Sequence, residues 1–547
     1  MPPRRTRQVQ SVQPSPASGG NRPATGCDQL RRDEAAVERT QRLLLANLPH
    51  TADPSHRHDL ERGIQLADEH LTRIRGLLQQ QGCPEQAAAP APLPAWVFGP
   101  IGSNVQVTHS ASPLNARSES SVAANPRNPL AMVGASKRFT DPTHYGFTLA
   151  AYFSTDGGQT WQEAPPLQLL SDPDPNKTWA GTSDPVVAWD DMGNVYLVAL
   201  PFPKDGGPYF TLGIAVYRSS DGGATWSPPN FIHPHAAGSN DADDKQAVAG
   251  DGTPASPHVG NVYAAWDTGQ RLSFARSTDH GATWRGVGAR PAGSGLDRAV
   301  RDSFAPEIAI GDDGAVYIVW SAGKEVKLVK STDGGATFSA PKVIVNGLTP
   351  LDAPPLPASH GWAQLPGGRF RVATFPMVCV GAANEVVVVW ADYREGVSRV
   401  YQRRSATGGA TWSGPASGEP VSSAAVASPP NQHDFDPQLV VMPDGSVGCA
   451  FYEFGPKGNP PSGPSLTDVV VVATTGAGTP FSRRATVTDH PWDPTVDAPL
   501  SHGDPSVTFI GDYFGLAASS LGFFPFWTDT RTGIQEIFTA RVAQHRP

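Results

Sequence analysis

STDGGQTW (154–161), SSDGGATW (219–226), STDHGATW (277–284), STDGGATF (331–338) and SATGGATW (405–412) are one eight-residue motif written five times. The residue types describe a tight turn. Ser and Asp side chains bond to nearby backbone N–H groups, Gly supplies positive φ, and the closing aromatic packs beside the next sheet. A short apolar strand such as GIAVYR or VKLVK precedes each copy. Upstream of it lies a second repeating unit, strand, Gly turn, strand: DPVVAWDDMGNVYLVAL (184–200), PEIAIGDDGAVYIVW (306–320), PMVCVGAANEVVVVW (376–390) and DPQLVVMPDGSVGCAFY (436–452). The motifs start 65, 58, 54 and 74 residues apart, which suits one four-stranded antiparallel sheet per repeat with variable loops.

Working outward, first strands begin near Glu119, Asp184, Asp244, Ala305, Phe375, Asp436 and Asp512, which predicts seven units. The sixth has a degenerate turn, TTGAGTPF (474–481). The last shows three strands, and NVQVTHS (104–110) is available to supply its outer strand and close the ring. The expected fold class is all-β, a seven-bladed propeller with an N-terminal α-helical hairpin. Six blades is the alternative if the last unit packs differently.

Composition agrees. Gly (56) and Pro (55) are abundant in the 547 residues, only 17% are charged, and no Gly-X-Y period exists, so the chain is turn-rich and neither collagen nor coiled coil. The net charge of −9 argues against a nucleic-acid partner, and no apolar run is long enough to span a membrane. Four domain segments are expected. Residues 1–26 form a basic tail with no apolar core of a secretory signal, and 27–84 a helical hairpin with Leu43, Leu44 and Leu48, then Leu60, Ile64, Leu71, Ile74 and Leu78, at helical spacing. A Pro/Ala linker (85–96) leads to the propeller (97–547). Cys27 and Cys83 flank the hairpin and could form a disulfide or remain thiols. No cofactor is expected. NDADDK (240–245) clusters oxygen ligands as a calcium site does, without EF-hand spacing, and a solvated loop is the better reading.

The five turns are Asp boxes, and from residue 97 onward the chain resembles the sialidase-like, bacterial-neuraminidase-repeat β-propellers. In such a ring, residues that begin a first strand or end a second one converge at the pore mouth. They include Glu119, Asp184, Asp244, Lys245, Glu307, Asp436, Asp512 and Tyr513. The resemblance implies a glycan or glycoconjugate partner, an extracellular or surface setting with the compartment left open, and, if the chain is active, exo-sialidase hydrolysis. Sialidases hold the substrate carboxylate with three arginines, protonate with an Asp and attack with a Tyr paired to a Glu. By position, ASKRFTD (135–141) implies Asp141 as acid with Arg138 beside it, PEIAIGDD implies Glu307, and GDYFG implies Tyr513 as nucleophile. WADYR and WTDTR supply Arg394 and Arg531, each also two residues from an Asp in its own turn, and Asp184 and Asp436 complete the substrate-binding set. ESSVAANP (119–126) stands where the family has Arg-Ile-Pro. The alternative is a non-catalytic glycan- or protein-binding propeller, attached to a surface, virion or larger assembly through residues 1–84.

Overall fold

The structure, a computed structural model, describes residues 54–81, 97–110, 112–144, 146–169, 179–203, 213–234, 242–352, 362–421, 427–457 and 463–545, together with residues 30, 34, 37, 41, 356, 358 and 359. Contacts divide the chain into two units, Met1–Leu93 and Pro94–Pro547.

In the first unit a helix spans Pro54–Gln80 and buries Ala67, Leu71 and Leu78. Leu30, Glu34, Val37 and Gln41, spaced by three or four residues, are also helical. Glu34 pairs with Arg75 at 2.9 Å and Gln41 bonds Asp68 at 2.5 Å. The partners run in opposite directions, as in an antiparallel hairpin. Cys27 and Cys83 lie outside the described residues.

The second unit is a ring of seven antiparallel sheets. Their first strands are Arg117–Asn125, Trp179–Trp189, Asp243–Gly250, Phe304–Ile310, Met377–Gly381, His433–Val441 and Gly515–Ser519. Each touches the next in chain order, and the seventh touches the first. The third blade has only three strands, its fourth position reduced to the Arg276–Arg285 bridge. The seventh takes its outer strand from the start of the unit: Val105–Gln106 pairs with Glu536–Thr539, and Val97–Ile101 pairs with Val542–His545. A buried carboxylate, Glu536, locks this joint by accepting from the Thr108 hydroxyl and from the Ser110 N–H.

Between blades the core is apolar and aromatic. Trp266, Trp320, Trp390 and Trp527, all on second strands, are fully buried. Each satisfies its indole N–H with an Asp: Asp243, Asp302, Asp392 and Asp529. On the opposite side of each blade the Asp boxes repeat one geometry. In the third, Ser277 Oγ donates to Asp279 (2.7 Å) and accepts from Gly281 N (2.8 Å), while Asp279 accepts from Thr283 N (2.8 Å) and Oγ1 (2.6 Å). In the fifth box Thr407 stands in for the Asp, and its hydroxyl makes the same pair of contacts to Thr411. Gly281 has φ of 81°, and a Cβ there would meet Tyr196 of the preceding blade at 2.5 Å. The box therefore needs glycine for both its turn and its inter-blade seam.

Gly281→Ala should lower stability by roughly 2 kcal/mol or more, from positive φ plus overpacking. Chemical denaturation against wild type reads this directly, and an unchanged midpoint contradicts the seam. Asp279→Ala should cost about 1–2 kcal/mol through the lost turn hydrogen bonds.

Candidate functional site

Five first strands share a local irregularity. Glu119, Asp184, Lys245, Ala305 and Asp436 have φ between 48° and 53°, and in each blade the pairing register slips at that residue. A non-glycine residue held there carries about 1–3 kcal/mol of strain, so five repeats at one position mark a built feature. In three of them the next residue is proline (Asp184-Pro, Ala305-Pro, Asp436-Pro), as after Phe375 in the fifth blade. Aligned this way, the seventh blade contributes Tyr513. One residue per blade thus occupies an equivalent position on this ring, Glu119, Asp184, Lys245, Ala305, Phe375, Asp436 and Tyr513, and the last five line the central channel.

Two cavities meet at this ring. A channel cavity of about 190 Å³ is lined by every first strand, including Lys245, Glu307, Phe375, Asp436 and Tyr513. A mouth cavity of about 290 Å³ lies among Lys137, Asp184, Asp244, Lys245, Phe375, Asp512 and two inter-blade connections that bring Trp362, Arg371 and His502. Those connections hold each other through backbone bonds, Thr508 N to Arg369 O at 2.7 Å and Arg371 N to Thr508 O at 3.3 Å.

A buried chain of charges crosses the mouth. Lys137 pairs with Glu119 (2.5 Å) and Asp184 (3.7 Å); Lys245 pairs with Asp512 (2.5 Å) and Asp184 (3.8 Å). Arg371 grips both oxygens of Asp512, at 2.7 and 2.6 Å. The cations lie against rings: Lys137 over Phe147 and Phe509, Lys245 over Phe375, and Arg371 between Trp362 and Phe509. Trp362 in turn stacks on His502 at 5.0 Å. Burial, with Asp184 adding, pushes Glu119 up to about 7 against the pull of Lys137. Burial also lifts Glu307 to about 7. Asp512 goes the other way, because Arg371 and Lys245 together outweigh its burial and hold it well below the carboxylate range. Tyr513 is driven upward by burial and by the nearby carboxylates of Asp184 and Glu119, and its hydroxyl has no hydrogen-bond partner.

The structure gathers some sequence-derived residues and separates others. Asp184, Glu307, Asp436 and Tyr513 line the two cavities. Asp141 lies apart, its side chain 48% exposed. Hydrogen bonds from Thr143 and His144 hold it down to about 2, so it is ionised near neutrality. Arg138 reaches Asn115 (3.4 Å) and Glu163 (3.7 Å). Arg394 pairs with Asp392, and Arg531 with Asp529 (2.7 Å) and Asp489. Trp492 is 2% exposed and belongs to the core, and Tyr393 stacks on His433.

Sequence reading misses Lys137, Arg371, Trp362 and His502. Lys137 and Arg138 are adjacent on a strand buried on both faces, so polarity cannot say which one turns inward; a lysine inside an apolar strand was the only signal. Arg371 and His502 sit in connections that follow no repeat.

Within 240–245, the described acids already have protein partners: Asp243 accepts from Trp266 and Thr268, and Asp244 from Lys245 N. Among the described residues Asp190, Asp191 and His280 are the one group placed to share a metal ion. Asp190 there already accepts from Met192, Asn194, Tyr196 and His280.

Asp512→Asn should destabilise the fold by about 3–5 kcal/mol, since it strands two buried cations. Glu307 supplies a pH test. A carboxyl raised in the folded state adds stability below its ordinary value of 4.5, and loses it as pH rises through about 7. Glu307→Gln stays neutral throughout. It should match wild type near pH 4.5 and melt higher at pH 8.5, by at most about 3 kcal/mol; equal melting at both pH values contradicts a desolvated carboxyl.

The BNR repeat-like domain family matches residues 149–374. No curated protein matches the sequence. Among solved structures, a protein of unknown function from Dyadobacter fermentans is 16% identical over 67% of this chain and 97% of that one, with a TM-score of 0.40. A Hadza microbial sialidase is 17% identical over 64% and 66%, TM-score 0.39. Trypanosoma rangeli sialidase, in complex with the inhibitor DANA, is 13% identical over 68% and 58%, TM-score 0.37. The chain thus spans less than two thirds of the length of both sialidases.

Proposed function

We propose that this Asp-box β-propeller, whose residues 149–374 match the BNR repeat-like domain family, binds a glycan at the pore mouth. The observation that carries this reading is the buried charge chain Glu119–Lys137–Asp184–Lys245–Asp512–Arg371 under an aromatic wall. Buried ions in such number are costly to stability, and a cleft is where such a cost is retained for binding. Carboxylates accept from sugar hydroxyls, and the faces of Trp362 and Phe375 cover the apolar side of a pyranose. Because the ions fix one another, the site is preorganised and little side-chain entropy is lost on binding.

Hydrolysis is the second reading. It assigns Tyr513 as nucleophile, Glu307 as its partner, Asp141 as proton donor, and Arg138, Arg394 and Arg531 as clamp. Its support is that the unpartnered Tyr513 hydroxyl and the neutral-leaning Glu307 line one channel. Binding stands first because the carboxylates around Tyr513 oppose a phenolate, and the three arginines already hold carboxylates or amides of the protein. For residues 1–84 we propose attachment to a larger assembly or surface.

A glycan array should show binding that Trp362→Ala weakens by tenfold or more; no binding to any glycan removes the reading. A fluorogenic sialoside should not be turned over at any pH. Turnover abolished by Tyr513→Phe would instead establish the hydrolytic reading. Deletion of residues 1–93 should leave glycan affinity unchanged, measured by titration calorimetry.

A further inference from the structure

Resting on the glycan reading, we propose that the channel beneath the mouth seats a primary ammonium group, so that the ligand is a sugar with a free amine rather than an acidic sugar. Six carboxyl groups, Glu119, Asp184, Asp244, Glu307, Asp436 and Asp512, gather where the described residues bring three cations, Lys137, Lys245 and Arg371. The cations are taken: Lys137 by Glu119 and Asp184, Lys245 by Asp512 and Asp184, Arg371 by both oxygens of Asp512. Asp436 is left over. It is 6% exposed, lines the channel, and has no hydrogen bond or ion pair to any described residue. Glu307 lines the same channel without an ion pair to any described residue. Both are driven toward the protonated form by burial, Asp436 further by the like charges of Asp512 and Glu119. A cationic guest would relieve that arrangement; a carboxylate guest would worsen it.

The chemistry of the walls selects the kind of cation. Lys245 shows what the ring accommodates, an ammonium 5.1 Å from the centre of Phe375 and 5.9 Å from that of Tyr513 with carboxylates beside it. In the same channel the Tyr513 hydroxyl is buried without a hydrogen-bond partner among the described residues, and its oxygen can accept an N–H. An ammonium has three N–H groups, and Asp436, Glu307 and Tyr513 offer three acceptors. A bare divalent ion needs a tighter cage. No three of these channel carboxyls bring oxygens within 4.8 Å of one another, since the one such group among the described residues is Asp190, Asp191 and His280.

The test is calorimetric titration of the full chain at pH 7.5 with a glucosamine trimer, its fully N-acetylated counterpart, sialyllactose, methylammonium and CaCl₂. The expected result is that the free amine binds at least tenfold tighter than the acetylated trimer, and that Asp436→Asn abolishes the difference. Asn keeps the shape, and a melting curve verifies folding; Glu307→Gln provides a second variant with the same expected direction. Equal affinity for the two trimers overturns the ammonium seat and leaves glycan binding standing. Methylammonium binding lost in Asp436→Asn, with no sugar bound, supports the seat and removes the glycan reading. Preference for sialyllactose, or calcium that excludes the amine, overturns the proposal.

Discussion

Closure is the constraint on which everything else depends. Seven sheets pack face to face around an axis, and the ring is fastened where the seventh takes a strand from the opposite end of the unit: Val105–Gln106 beside Glu536–Thr539. The buried Glu536 carboxylate, satisfied by Thr108 and Ser110, fastens strands more than 400 residues apart in sequence. Such a joint is entropically demanding because it closes a very long loop. Once made, it removes the exposed edges that would otherwise pair with another chain.

The ring also divides labour between its two sides. On one, the Asp boxes solve a local problem with local bonds, and glycine at positive φ lets each blade sit tightly on its neighbour. On the other, strained positions gather charge from separate blades and set it against aromatic rings. In the fifth box the scaffold tolerates Thr407 in place of Asp, whereas the mouth network has few interchangeable members, since Lys137, Asp184, Lys245 and Asp512 are each held by two other ions.

The sequence made the architecture legible because it was written repeatedly. The boxes, strand pairs, seven first strands and NVQVTHS closure are all visible as periodicity or composition, and the structure has seven blades with that closure. The mouth was legible only in part. Asp184, Asp436, Glu307 and Tyr513 occupy repeat positions and could be aligned. Lys137 was lost to its neighbour Arg138, a one-residue ambiguity that a doubly buried strand does not resolve. Arg371, Trp362 and His502 come from connections between blades, where no period exists and only tertiary folding decides what reaches the axis.

The left-handed residue in five of the seven first strands has one more implication. The backbone there is bent by the blade, whatever side chain it carries: glutamate, aspartate, lysine, alanine, aspartate again. Position around the axis is thus set independently of identity. The backbone fixes where such a side chain stands and leaves open which one stands there, like a dial whose positions are cut before its letters are chosen.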